Sequence, residues 1–397
     1  MIRIIRREKY IQKIRPFVGK DIVKILIGQR RVGKSSMMRD LMSYLQTEKW
    51  IKKEDICYIN KEDLFWDHIR TYTDLYEATK DFRTIFIDEI QEIPEWERAI
   101  RSLQSAGGYD IYITGSNAAM LSGELSTALA GRYISFQIFP LTYPEFLDFS
   151  GKHHTEKVFM EYIKHGWLPY IHSLDGQDES IISYQRDVVD TILLRDIIIR
   201  NNIRNTAFFH RLMVYLASEV GHIFSAKKIS DYLKNEKVSL SSTTIMEYLG
   251  FATDANLLMR ADRYDIRWKR VFETKHKFFF TDIGIRHALV GGYRQIDVSG
   301  VLENIVFSHM CACGWRVQIW ELGDKEIDFV CTRWDETIYL QVAYVLTLEE
   351  TREREFAWLL AIRDHYPKYV LTLDPLASGQ IDGVGWEYLP DFLLTHS

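Results

Sequence analysis

The sequence predicts an α/β protein: a parallel sheet covered by helices, then a helical middle with a hairpin, then a second, smaller α/β region. Three observations predict it. β-branched runs alternate with amphipathic stretches across residues 20–140, a glycine-rich loop joins the first run to a helical pattern, and a last α/β stretch runs from residue 300 to the end. Strands that alternate with helices read as a parallel sheet with both faces covered.

The strand runs are 22–27, 56–59, 84–87, 111–114 and 134–138. Residues 141–204 read as helical, entered through Pro140 and Pro144. Between 205 and 290 the pattern gives three helices and a hairpin. Residues 208–219 have helical apolar spacing, and the hydroxyls of Ser225 and of 241–244 start two further helices. The hairpin strands are 257–260 and 277–280. The domains are therefore placed at 1–145, 146–204, 205–290 and 291–397, and no repeat or low-complexity linker separates them.

With 47% hydrophobic and 26% charged residues, the chain of 397 residues is globular and not disordered. It is long enough to need no disulfide or metal staple. Cys57, Cys311, Cys313 and Cys331 form no disulfide framework and suit a reducing compartment. His309, Cys311 and Cys313 read as buried side chains rather than metal ligands, since a spacing of two scatters them around a helix. A net charge of −5 excludes a polycation, so any nucleic-acid surface is a local patch. The longest uncharged stretch, 111–123, has 13 residues. A span needs about 20 apolar residues, so no membrane segment is expected. The charged N-terminus lacks the apolar core of a signal peptide, and a cytoplasmic location is expected.

Gly28-Gln29-Arg30-Arg31-Val32-Gly33-Lys34-Ser35 fits G-x-x-x-x-G-K-[ST] between an apolar strand and a helix. Its glycines let backbone N–H groups curl around phosphates, and the helix N-terminus adds its dipole. Lys34 is expected to reach the β/γ-phosphates, Ser35 to bind Mg²⁺, and Ser36 to line the same ATP site. Arg30 and Arg31 add positive potential. The strand 84–87 ends in Asp88-Glu89, 54 residues after Lys34. Asp88 is expected to hold Mg²⁺, and Glu89 to polarise the attacking water, which argues for hydrolysis. Thr114, Ser116 and Asn117 close the next strand, where a polar group orients the water or senses the γ-phosphate. Arg132 precedes the fifth strand and is a candidate arginine finger for a neighbouring subunit.

Taken with Phe86-Ile87-Asp88-Glu89-Ile90-Gln91, Leu129-Ala130-Gly131-Arg132-Tyr133 and Pro140-Leu141-Thr142-Tyr143-Pro144-Glu145-Phe146, these motifs resemble the prokaryotic AAA+-like P-loop ATPases. The resemblance extends through 193–197, 278–284, 302–304 and 325–330 to the group carrying a C-terminal uncharacterised domain of restriction-endonuclease-like type. The three helices and hairpin of 205–280 read by their own pattern as a winged helix, while the resemblance implies a P-loop NTPase sheet and a restriction-endonuclease-like α/β domain. That last fold uses a helix Glu, a strand Asp, and a Glu-x-Lys on the next strand. The resemblance matches Glu303 and Asp328 to the first two, but puts Gln341 and Ala343 at the other pair. The site is expected to be degenerate and without nuclease activity, unless a lysine such as Lys325 enters from elsewhere.

The segment 260–277 carries seven Lys/Arg against three Asp/Glu, a local charge of +4 within an acidic chain. As the wing of a winged helix, with Arg263, Arg267, Lys269 and Arg270 as phosphate contacts, it points to DNA. The function expected is an Mg²⁺-dependent, ATP-hydrolysing switch or remodeller acting on DNA as a homo-oligomer. Two alternatives stay open: a slow nucleotide-gated signalling NTPase with protein partners, and an ATP-dependent nuclease.

Overall fold

The computed structural model describes residues 6–49, 51–118, 129, 131–174, 177–235, 240–264, 276–322, 325–346 and 349–396. The chain divides into two compact units, Met1–Pro140 with Asp254–Asn256, and Leu141–Thr253 with Leu257–Ser397.

The first unit opens with α1 (Glu8–Ile14) and continues through β1 (Val23–Ile27), α2 (Lys34–Glu48), β2 (Ile56–Asn60), α3 (Tyr72–Thr79), β3 (Thr84–Asp88), α4 (Trp96–Ala106), β4 (Asp110–Gly115) and β5 (Tyr133–Gln137). All pairings are parallel, in the order β2-β3-β4-β1-β5. Every residue of β1, β3 and β4 is buried, which is why these runs read as continuous apolar stretches rather than alternating ones. α4 sets Trp96, Ala99, Ile100 and Leu103 on one stripe against Ile85, Ile87 and Ile111. The order puts β4 between the strand that feeds the glycine loop and the strand that ends in Asp88.

The second unit begins with α5 (Tyr143–Ser150), α6 (Glu156–His165) and α7 (Asp178–Thr191), the last running into a wide helical segment, Ile192–Ile199. Next come α8 (Thr206–Ser218), β6 (Ile223–Phe224), α9 (Ala226–Asn235), α10 (Ser242–Asp254), β7 (Leu258–Ala261) and β8 (His276–Phe280). β6, β8 and β7 form an antiparallel sheet in that order. α11 (Ile283–Leu289) is capped by the buried Asp282, whose carboxylate accepts the Ile285 N–H at 2.9 Å and the Trp167 N–H at 2.6 Å. The Phe-Thr-Asp-Ile-Gly stretch is therefore a packing device, and a Cβ on Gly284 would meet the Gln185 amide at 2.0 Å.

The chain closes with α12 (Val298–Ala312), β9 (Arg316–Leu322), β10 (Lys325–Arg333), β11 (Glu336–Ala343), α13 (Glu349–Leu360), β12 (Lys368–Thr372), β13 (Ser378–Ile381), β14 (Val384–Tyr388) and α14 (Leu389–Thr395). The sheet order is β13-β14-β12-β11-β10-β9. β9, β10 and β11 pair antiparallel, whereas β11, β12 and β14 run parallel. A register shift between Ile327 and Val330 brackets Asp328. Such bulges re-aim a side chain beside a site.

Candidate functional site

The glycine loop leaves β1 and enters α2 with Gly33 at φ 96°, the left-handed region that glycine adopts without strain. Gly28 is required for a second reason. A Cβ there would lie 2.3 Å from the Ile138 carbonyl oxygen at the exit of β5. Arg7 clamps the same place from below, a role no motif reveals. Its buried guanidinium donates to the carbonyls of Val32 (3.4 Å), Phe139 (2.7 Å) and Pro140 (3.2 Å).

Lys34 is buried in the first turn of α2. Its Nζ donates to the carbonyls of Gly28 at 3.0 Å and Gln29 at 3.2 Å, and lies 3.9 Å from the Glu89 carboxylate. Carbonyls are neutral acceptors, and a phosphate oxygen makes a stronger, charge-assisted bond in their place. Ser35 is half-buried, while Arg31 and Ser36 are exposed. Arg30 lies 3.7 Å from Glu62. The Gln29 side chain is fully buried, and neither amide atom has a partner among the described residues.

Asp88 and Glu89 meet the loop across β4. Thr114 ties them together: its hydroxyl donates to Asp88 Oδ1 at 2.5 Å and accepts the Glu89 N–H at 3.0 Å. The Tyr58 hydroxyl donates to Asp88 Oδ2 at 3.3 Å. Burial and the Asp88 charge push that phenol up to about 12, so it stays a donor. Glu89 has φ 55°, an uncommon left-handed backbone for a non-glycine residue, and the Gln91 amide donates to its carboxylate. Among the β4 candidates, Thr114 is thus occupied in holding the acids, whereas the buried Ser116 hydroxyl has no partner among the described residues. Asn117 is buried as well. Asn256 reinforces this end of the sheet, donating to the Ser116 carbonyl at 3.3 Å and accepting from the Gln137 amide at 2.9 Å.

Arg132 sits at the opposite edge. Its carbonyl accepts the Val23 N–H at 3.0 Å, at the start of β1, and its side chain is exposed. The loop follows the far end of that strand, about 16 Å away at ~3.3 Å per residue. Arg132 does not reach the loop of its own chain.

A second constellation lies in the other unit. Lys277 on β8 is buried, and its Nζ lies 3.0 Å from Glu303 on α12 and 2.7 Å and 3.6 Å from Glu326 and Asp328 on β10. Burial alone would lower the lysine's affinity for its proton, but the carboxylates outweigh it and raise it. Burial and the Asp328 charge push Glu303 up to about 8, and burial takes Asp328 to about 6. Asp328 also accepts the Val342 N–H at 2.9 Å. Gln341 is fully engaged, accepting the Asp328 N–H at 3.3 Å and donating to Glu355 at 2.9 Å.

Two sequence expectations change here. The lysine among these carboxylates is Lys277; the side chain of Lys325 lies outside the described residues. Lys277 had been counted in the basic wing, yet it is buried and neutralised, and Arg260 is paired with Asp262 at 2.7 Å. Of the proposed phosphate contacts, Arg263 is half-buried at a bridge to Ile319, and Arg267, Lys269 and Arg270 lie outside the described residues. His309 lies 3.5 Å from Cys313, and among the described residues no group of three or more His, Cys, Asp or Glu side chains could hold a metal ion. No helix among them is long and apolar enough to cross a membrane.

A protein-family profile described as an AAA domain matches residues 20–147. A second, a domain of unknown function (DUF8612), matches 156–295. An uncharacterised protein of Haemophilus influenzae (strain ATCC 51907 / DSM 11121 / KW20 / Rd) is 35% identical over 404 residues, 98% of this chain and 99% of its own. The chain belongs to that protein's family. Its first unit is an AAA-type P-loop nucleotide-binding domain. The uncharacterised protein MJ1544 of Methanocaldococcus jannaschii is 29% identical over 86% of this chain and 79% of its own. Among solved structures, the Walker-type ATPase PABY2304 of Pyrococcus abyssi is 12% identical, covers 72% of this chain and 95% of its own, and has a TM-score of 0.48. The Aeropyrum pernix ORC1 protein in complex with DNA is 12% identical, covers 72% of this chain and 92% of its own, with a TM-score of 0.31. The strand order and the glycine loop define the AAA fold of the first unit.

Proposed function

We propose that the protein hydrolyses ATP and uses the cycle to switch or remodel a complex on DNA. The observation that carries the reading is the Thr114 hydroxyl, which joins the Asp88 carboxylate to the Glu89 N–H beside Lys34. A kinase has little use for a second carboxylate aimed at water; a hydrolase needs one. Residues 28–36 would bind the nucleotide. Ser35 and Asp88 would hold Mg²⁺, since a hydroxyl and a carboxylate make the hard oxygen donor set this ion takes. Bound there, Mg²⁺ neutralises phosphate charge. Glu89 is the group to accept a proton from water, and Ser116, with its unpartnered buried hydroxyl, is the group to orient it. Arg132 would serve the nucleotide of a second copy in a homo-oligomer.

DNA is supported by the second unit. Helix, strand, two helices and two strands, in the sheet order β6-β8-β7, is the arrangement of a winged helix. The protein-partner reading, a slow nucleotide-gated switch, is favoured by the internal pairing of Lys277 and Arg260, which takes two cations away from the wing. ATP turnover with and without duplex DNA separates them. Stimulation by DNA that disappears in Glu89→Gln supports the first reading; turnover indifferent to DNA at low salt supports the second. Turnover unchanged in Glu89→Gln would overturn both.

For the C-terminal region we propose a restriction-endonuclease-like domain without nuclease activity. The order α12-β9-β10-β11-α13-β12 supports the fold. Gln341 is tied to Glu355, Ala343 brings no charge, and the Lys277 ammonium occupies the carboxylates. Plasmid DNA should stay intact in Mg²⁺ or Mn²⁺, with or without ATP. Cleavage abolished by Asp328→Ala would overturn this and show that another residue has taken the missing lysine's place.

A further inference from the structure

A cleft of about 490 Å³ opens in the second unit between α5, α6, the turn 169–173 and the start of α7. That volume is in the range of small-molecule sites. One wall is apolar, formed by Phe146, Phe149, Ile171 and Ile181. The other is polar: Lys152 pairs with Glu161, and the His165 ring is hydrogen-bonded to Asp178 at 2.8 Å. Lys157 and Lys164 remain. They lie seven positions apart on α6, on one face at helical spacing, and neither is paired with an acid among the described residues. Lys164 only looks over the Tyr293 ring at 6.0 Å.

His172 joins the walls. Its ring stands edge-on to Phe146 at 4.8 Å and tilted to Phe149 at 6.2 Å, and its buried Nε2 has no hydrogen-bond partner among the described residues. Burial takes it down to about 4, so it is a neutral imidazole at physiological pH, able to offer or accept one hydrogen bond. An unsatisfied buried nitrogen costs stability unless something bonds it.

We propose that this cleft is a binding site for a small organic anion with a flat apolar body, its ring against Phe146 and Phe149 and its carboxylate, sulfonate or phosphate between Lys157 and Lys164. The aromatic wall excludes a bare inorganic ion as the preferred ligand, because such an ion leaves that wall wet. The lysines select against a neutral ring.

Two fluorescent probes test this on the full chain: 8-anilinonaphthalene-1-sulfonate, and its uncharged analogue N-phenyl-1-naphthylamine. The sulfonate should bind saturably at one site per chain and stay bound in saturating ATP. Lys157→Glu with Lys164→Glu, both exposed positions, should weaken the sulfonate about tenfold or more while leaving the neutral probe unchanged. Phe149→Ala should weaken both probes. Lys157→Gln with Lys164→Gln should fall between, and guards against misfolding of the charge-reversed chain. Sulfonate affinity unchanged in both lysine variants, displacement by ATP that is lost in Lys34→Ala, or no saturable binding overturns the proposal.

Discussion

Lys34 in the first unit donates to the carbonyls of Gly28 and Gln29 and stands 3.9 Å from the Glu89 carboxylate. Lys277 in the second lies within 3.6 Å of three carboxylates, with no neutral acceptor needed. Both are buried lysines beside a strand that carries acidic side chains. The difference lies in how easily each can change partners. Carbonyls surrender an ammonium to a phosphate at little cost, so the Lys34 site is built for exchange. Removing Lys277 would strand carboxylates in a dry interior, so its site is built for permanence.

The largest expected break in this comparison is at Lys34. Lys34→Ala should abolish ATP binding in a calorimetric titration, since no other ammonium replaces the phosphate contact. Glu89→Gln should keep the affinity and lower turnover by about 10²–10⁴. Wild-type affinity in Lys34→Ala would show that the loop binds nothing through this residue.

Lys277→Met should leave ATP binding alone and destabilise the second unit by about 3–5 kcal/mol, the usual effect of stripping one partner from a buried ion pair. Urea unfolding followed by tryptophan fluorescence reads it. A loss under about 1 kcal/mol, the range of a surface pair, would mean that the cluster is not held by the ammonium.

Thr114→Val keeps the shape of the β4 end and deletes both hydrogen bonds. With one buried acceptor and one N–H left open, about 1–3 kcal/mol is lost from the geometry of the acids. Single-turnover hydrolysis should slow by about ten- to a hundredfold with nucleotide affinity kept. Equal slowing in Ser116→Ala and none in Thr114→Val would reverse the roles assigned to the two hydroxyls.

The gentlest test is pH. Glu303 ionises near 4.5 in an unfolded chain and near 8 in the folded one. Between those values the folded state holds a proton that the unfolded state has released. Stability from this group is therefore greatest at the acid end and declines as pH rises toward 8, by at most about 1.4 kcal/mol per unit. In Lys277→Met the decline should extend above pH 8, because the ammonium is what favours the ionised form. Identical profiles for the two proteins would separate Glu303 from Lys277.

The contrast also explains what could be read from the sequence. The exchangeable site is local: strand, loop and helix follow one another over residues 23–48, and Asp88-Glu89 is announced by the apolar run before it. Even the place of Thr114 follows from which strand lies between the other two. The permanent site is not local. Lys277 comes 26 positions before Glu303 and 51 before Asp328, and it sits in a run of basic residues that looked like one surface. Only the pairing of β8 with β7, and the packing of α12 on the sheet, bring it inside. The aromatic flank 277–280 was the available signal: a lysine followed by three phenylalanines in a strand is entering a core. Arg7 was silent for the same reason, since two of the backbone carbonyls it bonds, those of Phe139 and Pro140, are more than a hundred residues away.

The position of Arg132 has a kinetic consequence. A guanidinium at the start of β5 is separated from its own loop by the whole length of β1, so the finger proposed above would act on a neighbour's nucleotide. Turnover that depends on it would rise with the square of protein concentration when copies are scarce, and linearly once they are plentiful. Dilution alone would then silence the enzyme, and local crowding on a shared scaffold would wake it, with no change in ATP supply and no modifying ligand.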